Sequence, residues 1–389
     1  MVKEKNIRVA YFCHDANSYA GAGQSLFNLV HSVDKYVTPI IIASTGGVTY
    51  DKFVAAGYEC HIIPFYLNNM VAKVSLNKIL LYPFRLIRFI ISESKNCNKI
   101  CELLKDRNVD IIHSNTSAYT IGYKVAKKMG IKHVWHLREM MGLINRQPIY
   151  PLGRKAQQKM IYDSDFVIAI TKTVFSYYNL EKIDYKATFI WDAVRSQNDK
   201  CFNPSKEKFF VHCSNDIDPI KNPDKAIEGF ANSGLSEQGW SLIMIGNDKN
   251  PYAISLKKEL SANIKDKGVA FIGQTSNVKD YLSKAAGLLM TTQFEGLGRV
   301  TIEAMFYGCP VIAYNSAGSA EILDDGATGF LFNRFEELPD LIRKVASSDN
   351  AEIIERAQQY AIDNFSEEKY GVKIYEIYKT ILKEFYTDQ

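Results

Sequence analysis

Apolar residues in this chain fall into short, nearly unbroken runs separated by longer segments with helical spacing. Ile7 to Cys13, Pro39 to Ala43, His61 to Pro64, Asp110 to His113, Val134 to Glu139, Asp165 to Ala169 and Thr188 to Trp191 make up a first set of runs. Phe209 to Cys213, Ser241 to Gly246, Val269 to Gly273, Leu288 to Met290 and Val311 to Tyr314 make up a second. Continuous rather than alternating apolar runs suit strands buried on both faces, the condition of a parallel sheet covered by helices. The covering helices are predicted between the runs. Tyr123 to Lys128 is closed by Gly130, Asp224 to Phe230 and Val278 to Ala285 follow, and Arg299 to Tyr307 carries Ile302, Met305 and Phe306 on one face before Gly308. Such alternation predicts doubly wound α/β architecture, built twice. Arg195 to Ser205 is polar and aperiodic, so it is expected to link the two domains.

Ligands of doubly wound sheets lie beyond the carboxyl ends of the strands, which makes the polar residues there candidates. In the first half these are Asp15, Asn115 and His136, with Arg138 and Glu139 beside them. His136 is either a hydrogen-bonded packing residue or a site residue. Arg138 and Glu139 either anchor a phosphate or an acceptor, or pair with each other. Gly21 and Gly23 open the helix after the first strand, either as a tight turn or to let backbone approach a ligand. In the second half, Leu288 to Met290 runs through Thr291 and Thr292 into a loop with Gly296 and Gly298, then into the helix from Arg299. A helix N-terminus with exposed amides is a natural anion site. Two carboxylates frame it, Glu295 and Glu303, eight positions apart. The bland alternative is an Arg299–Glu303 pair at i, i+4, with cation and anion in the less favourable order.

The segment from Glu295 through Gly296, Leu297, Gly298, Arg299 and Val300 to Glu303, followed by Gly308-Cys-Pro-Val and Gly318-Ser-Ala-Glu-Ile, resembles the glutamate–seven–glutamate signature of the retaining family-4 (group 1) glycosyltransferases. That resemblance implies a GT-B fold, two Rossmann-like domains facing across a cleft, with a C-terminal helix crossing back to the N-terminal domain. It implies that Glu303 holds the ribose of a nucleotide sugar and that Glu295 contacts hydroxyls of the donor sugar. The amides of Gly296, Leu297, Gly298, Arg299 and Val300 would face sugar and phosphate. Gly246 and Gly273 would present main chain to the nucleobase, and Gly21 and Gly23 would let backbone approach the donor phosphates. His136 would lie beside the sugar, and Lys221 would bind the diphosphate. The family's arginine before that lysine is missing, since Asn215 and Asp216 stand where glycine and arginine would fall. One lost charge-assisted contact costs roughly 1.5–3 kcal/mol in a desolvated site, and Arg299 is the natural compensating cation. Asp216 and Asp218 have the spacing of a metal motif, but three-residue matches are frequent by chance. No metal is expected, nor any cofactor besides the nucleotide sugar as co-substrate.

The totals narrow the class further. At 389 residues two domains are the default, and an apolar fraction of 47% is ample for two cores. A net charge of +4 gives no reason to invoke nucleic acid. Seven scattered cysteines without a C-x-x-C pair suit a reducing cytoplasm. The N-terminal apolar run is too short for a signal peptide or a span. Residues 70–95 have another texture, dense in apolar side chains with Lys73, Lys78, Arg85 and Arg88 and no acid until Glu93. They are either a basic amphipathic surface for a membrane interface, or helices covering a sheet face with basic residues in water.

The expected organisation is therefore an acceptor-binding domain over 1–200 joined by a C-terminal helix at about 367–389, and a nucleotide-sugar-binding domain over 201–366. The expected activity is transfer of a sugar from a UDP- or GDP-linked donor to a hydroxyl of a glycan or lipid-linked acceptor, with retention. Glu295, His136 and Lys221 would carry it, with Asp15, Asn115, Arg138 and Glu139 toward the acceptor. Its place would be the cytoplasm or the inner face of a membrane, in cell-surface polysaccharide synthesis. A nucleotide-sugar epimerase of the same fold and a non-catalytic subunit are the rivals, the second favoured by the missing arginine.

Overall fold

The computed structural model describes residues 6–14, 16, 21–67, 82–141, 150–263, 268–293 and 296–387. The chain forms two compact units, Met1–Ala193 with Tyr370–Gln389, and Val194–Lys369.

The first unit is built on seven parallel strands: β1 (Ile7–Cys13), β2 (Val37–Ala43), β3 (Glu59–Ile62), β4 (Ile111–Ser114), β5 (Lys132–Leu137), β6 (Phe166–Ala169) and β7 (Ala187–Phe189). Their order is β3-β2-β1-β4-β5-β6-β7. The chain starts in the middle, builds outward to β3, then returns to the other side of β1. The switch point lies between the ends of β1 and β4. Both faces of β1 are covered, Val9 and Tyr11 against Leu26, Leu29 and Val30, and Ala10 and Phe12 against Ile100, Tyr119 and Ile121. That two-sided burial is why the run is apolar at successive positions.

The last helix, Glu367–Thr387, adds Tyr370, Ile374, Tyr378 and Ile381 to the first unit's core. The Tyr378 hydroxyl lies 3.0 Å from that of Tyr11 and 2.7 Å from His113 Nδ1. Gly371 lets this helix touch the helix Gly21–Val33, because a Cβ there would sit 1.9 Å from the Ser32 carbonyl oxygen.

The second unit repeats the plan with six parallel strands: β8 (Glu207–Asp216), β9 (Ser241–Asn247), β10 (Val269–Gly273), β11 (Ala285–Met290), β12 (Val311–Tyr314) and β13 (Phe330–Phe332), in the order β10-β9-β8-β11-β12-β13. Its switch point falls between β8 and β11. The polar stretch Arg195 to Ser205 is part of this unit and not a free linker. Arg195 bridges Ser366, the Cys201 amide donates to the Phe306 carbonyl at 3.1 Å, and the Ser196 hydroxyl donates to Glu368 at 2.6 Å. Its polarity serves those hydrogen bonds, which composition cannot distinguish from solvation. The division between units accordingly falls at 193/194, and again at 369/370, a few residues from the expected boundaries.

Candidate active site

In the second unit, β8 and β11 end side by side and are stitched together beyond their last residues. Asn222, in left-handed backbone (φ 47°), donates from Nδ2 to the Thr291 carbonyl at 3.0 Å. The Thr291 hydroxyl lies 2.9 Å from the carbonyl oxygens of both Lys221 and Asn222. Lys221 closes the turn Pro219–Lys221, whose N-cap Asp218 accepts from the Ile220 amide at 2.9 Å. His212 on β8 is fully buried and lies 3.1 Å from the Leu289 carbonyl through Nδ1. Burial pushes its pKa down to about 4, the Leu289 contact opposes this, and the nearby Lys221 charge adds to it.

After β11 the chain passes to Gly298, which adopts left-handed backbone (φ 70°, ψ 52°) as N-cap of the helix Arg299–Phe306. The Thr301 amide turns back to the Gly298 carbonyl at 2.9 Å, leaving the first-turn N–H groups aimed out of the helix start. One turn further, Glu303 is buried, and its Oε1 lies 3.0 Å from Arg195 Nη2. Arg195 Nε also donates to the Tyr307 hydroxyl at 2.5 Å, so one guanidinium fixes the carboxylate and a neighbouring phenol. The hydroxyls of Thr301 and Ser319 are buried, with no hydrogen-bond partner among the described residues. Arg299 and Val300 begin the helix, and Gly296 and Leu297 precede its cap, Leu297 buried. Glu295 lies outside the described residues.

Asn215 and Asp216, at the tip of β8, are held by amides. Asp216 accepts from Asn247 Nδ2 at 2.8 Å and from Asn215 Nδ2 at 2.9 Å, and Gln274 Nε2 reaches the Asn215 carbonyl at 3.2 Å. Two side-chain amides thus donate to this carboxylate. Among the described residues no group of three His, Cys, Asp or Glu side chains is placed to hold a metal ion. Gly246 is demanded by packing: at φ 148° its Cβ would lie 2.6 Å from the Ser214 carbonyl. Gly273 ends β10 at φ 74°.

In the first unit the ends of β4 and β5 carry a buried polar cluster. Arg138 is its centre. Its Nε donates to the Asn115 side-chain oxygen at 2.8 Å and carbonyl at 3.0 Å, and its Nη1 pairs with Asp192. Burial would lower the Arg138 pKa, but Asp192, Tyr370 and Glu139 together outweigh it, so the guanidinium stays charged. Asp192 also accepts from the Tyr370 hydroxyl at 3.2 Å, which ties the last helix into the cluster. Asn115 Nδ2 donates to the Ala22 carbonyl at 3.1 Å, between Gly21 and Gly23. Glu139 accepts instead from the Thr116 hydroxyl at 2.7 Å, and burial raises its pKa. Arg138 and Glu139 thus each take another partner.

His136 is fully buried, and among the described residues neither ring nitrogen is hydrogen-bonded. Its Nε2 lies 3.7 Å from Asp192, and its ring centre lies 5.5 Å from that of His113. Burial, then the charge of Arg138, holds it well below the usual imidazole range, so it is neutral. Asp15 lies outside the described residues. Asp192, Arg195 and Tyr370 were not expected from the sequence. Each works through a partner distant in the chain, and no local spacing announces it.

Residues 194–363 match the family model of the group 1 glycosyl transferases, so the second unit carries that family's pattern. Over 355 residues, 84% of this chain and 91% of the relative, the sequence is 22% identical to N-acetyl-alpha-D-glucosaminyl L-malate synthase of Bacillus anthracis. Over 192 residues, 47% of this chain and 44% of the relative, it is 30% identical to a probable sucrose-phosphate synthase of Thermosipho melanesiensis. In structure it resembles Anabaena Alr3699/HepE in complex with UDP and glucose, at TM-score 0.75 and 16% identity over 96% of this chain and all of that one. It also resembles a glycosyltransferase from Rickettsia africae, at TM-score 0.76 and 21% identity over 97% and 99% of the two chains. The fold is therefore the GT-B arrangement of two Rossmann-like domains.

Proposed function

We propose that this chain is a glycosyltransferase that moves a sugar from a UDP- or GDP-linked donor to a hydroxyl of a glycan or lipid-linked acceptor, with retention at the anomeric carbon. Synthesis of a cell-surface polysaccharide is the reading's cellular setting. The observation that carries it is the corner after β11, where a left-handed glycine caps a helix and Glu303 stands clamped one turn inside. Helix-start amides favour a diphosphate, and a fixed carboxylate suits the paired hydroxyls of a ribose.

The chemical difficulty of such a transfer is the charge that grows on the leaving diphosphate. Lys221, Arg299 and the amides of Gly296 to Val300 are the groups assigned to absorb it. The acceptor would attack on the face from which the diphosphate departs, with the diphosphate taking the acceptor proton. No enzyme nucleophile is then required. Glu295 orients sugar hydroxyls in this scheme, and the neutral His136 can accept or donate one hydrogen bond to the sugar. Asn115, Arg138, Glu139 and Asp15 are assigned to the acceptor side, and exclusion of water from the bound donor would suppress its hydrolysis.

Calorimetry with UDP and GDP, on the native chain and on Glu303→Ala, tests the reading. Loss of a charge-assisted contact should weaken the preferred nucleotide ten- to a hundredfold, from roughly 1.5–3 kcal/mol. Unchanged affinity would sink it. Asn215 and Asp216 in the place of a diphosphate cation favour one rival, a subunit that binds donor without transferring it. Tight binding with no turnover across donors and acceptors would select that rival, and an epimer formed without acceptor would select an isomerase.

A further inference from the structure

The helix Tyr82–Leu104 changes character along a single face. Over its last three turns that face is ordinary, with exposed Ser94, Lys95, Asn98 and Lys99 in water. Over its first three turns the same face presents Phe84, Ile87 and Ile91, at 72%, 56% and 63% exposure, spaced i, i+3, i+7. The opposite face is occupied farther along, by Glu93, Asn96, Cys97 and Ile100. The exposed stripe is therefore a second apolar surface, not a misplaced core.

Its charge is one-sided. Arg85 and Arg88 flank the stripe, both exposed, and no acidic residue occurs between Tyr82 and Ser92. The first acid, Glu93, is buried and already taken by the Thr120 hydroxyl and Lys124. Arg85 and Arg88 also line a cavity of about 320 Å³ with Tyr66, Leu86 and Phe89, which leaves room for a phosphate-bearing headgroup beside the stripe. Among the described residues no helix is long and apolar enough to cross a membrane. A short apolar stripe with flanking guanidinium groups lies along an interface instead.

We infer that the exposed face of Tyr82–Ser92 docks on an anionic lipid surface, with Phe84, Ile87 and Ile91 between headgroups and Arg85 and Arg88 on lipid phosphates. The inference is independent of the donor reading, since it concerns no residue assigned to transfer. Residues 70–81 of the expected surface lie outside the described residues.

Flotation of the full chain with phosphatidylcholine vesicles, and with mixed phosphatidylcholine–phosphatidylglycerol vesicles, tests it. Binding is expected only to the mixed vesicles and should weaken with added salt. Ile87→Ser with Ile91→Ser, and separately Arg85→Gln with Arg88→Gln, should each cut vesicle binding by about tenfold or more, because each basic residue counts several-fold at an anionic surface. The glutamine pair touches no apolar residue and keeps the test open if the serine pair does not fold. Nucleotide binding by both variants should be unchanged. Equal binding to both vesicle types, or none to either, would overturn the inference. So would a dimer in solution that the same substitutions dissociate, since the occupant would then be a second copy.

Discussion

At the scale of single residues, the informative contact is the one between Glu303 and Arg195. A carboxylate accepts several hydrogen bonds, so Arg195 Nη2 can fix its rotamer while other lone pairs remain for two ribose hydroxyls. Arg195 would then be a positioning residue, acting on the nucleotide only through Glu303. Arg195→Ala should weaken nucleotide binding several-fold, and should have no further effect once Glu303 is alanine. Titrating the four members of that cycle measures the coupling. Additive losses would instead give Arg195 a direct contact with the ligand. Removing the arginine also leaves a buried carboxylate unpaired, which should cost about 1–3 kcal/mol of stability in the ligand-free protein. Glu303 was legible because its spacing from the glycine loop is local. Arg195 was not, because the residues that recruit it, Glu303, Tyr307 and Ser366, are remote in sequence, and the stretch around it reads as polar linker.

Elements were legible where burial is two-sided. Val311–Tyr314 has the bounds its apolar run predicts, because such a strand has little solvent face to interrupt the pattern. Val269–Gly273 matches as well, although it is an edge strand, because its solvent-facing positions, Ala270 and Ile272, are themselves apolar. Helices with thin apolar faces were not read: Arg154–Tyr162 buries only Gln157 and Ile161, too little to set a period. The helix Tyr82–Leu104 was read as far as about residue 95 and not to its end, since its outward face turns polar beyond Ser92. The last helix is tied to the first unit by a contact that only glycine permits. Because the neighbour of Gly371 is the backbone oxygen of Ser32, no side-chain rotation can absorb a methyl group there. Gly371→Ala should therefore lower the melting temperature by an amount matching about 1–3 kcal/mol or more, and should loosen Tyr370 and Tyr378 from the Arg138 and His113 clusters. An alanine variant that melts with the native protein would show that the two helices slide apart at little cost.

At the scale of the whole molecule, four fully buried imidazoles set the response to acid. His113, His133 and His136 lie in the first unit and His212 in the second, and burial depresses all four, His133 to about 3 and His212 to about 4. An unfolded histidine binds a proton near pH 6.5, whereas these folded ones do not, so the unfolded chain takes up more protons as pH falls. The stabilisation is full above pH 6.5 and is lost progressively below it. From pH 6.5 to 5 each such group withdraws up to about 2 kcal/mol, at 1.36 kcal/mol per pH unit. Glu139 in the first unit works the other way, because its raised carboxyl binds a proton in the folded state before the unfolded chain does. Three depressed imidazoles against one raised carboxyl still leave the first unit with a larger loss than the single His212 imposes on the second. Hydrogen exchange read by mass spectrometry at pH 7.5 and 5.0, corrected for intrinsic rates, should show β4 and β5 losing protection before β8 and β11. If β8 and β11 open first, the buried imidazoles of the first unit are not what limits its stability in acid.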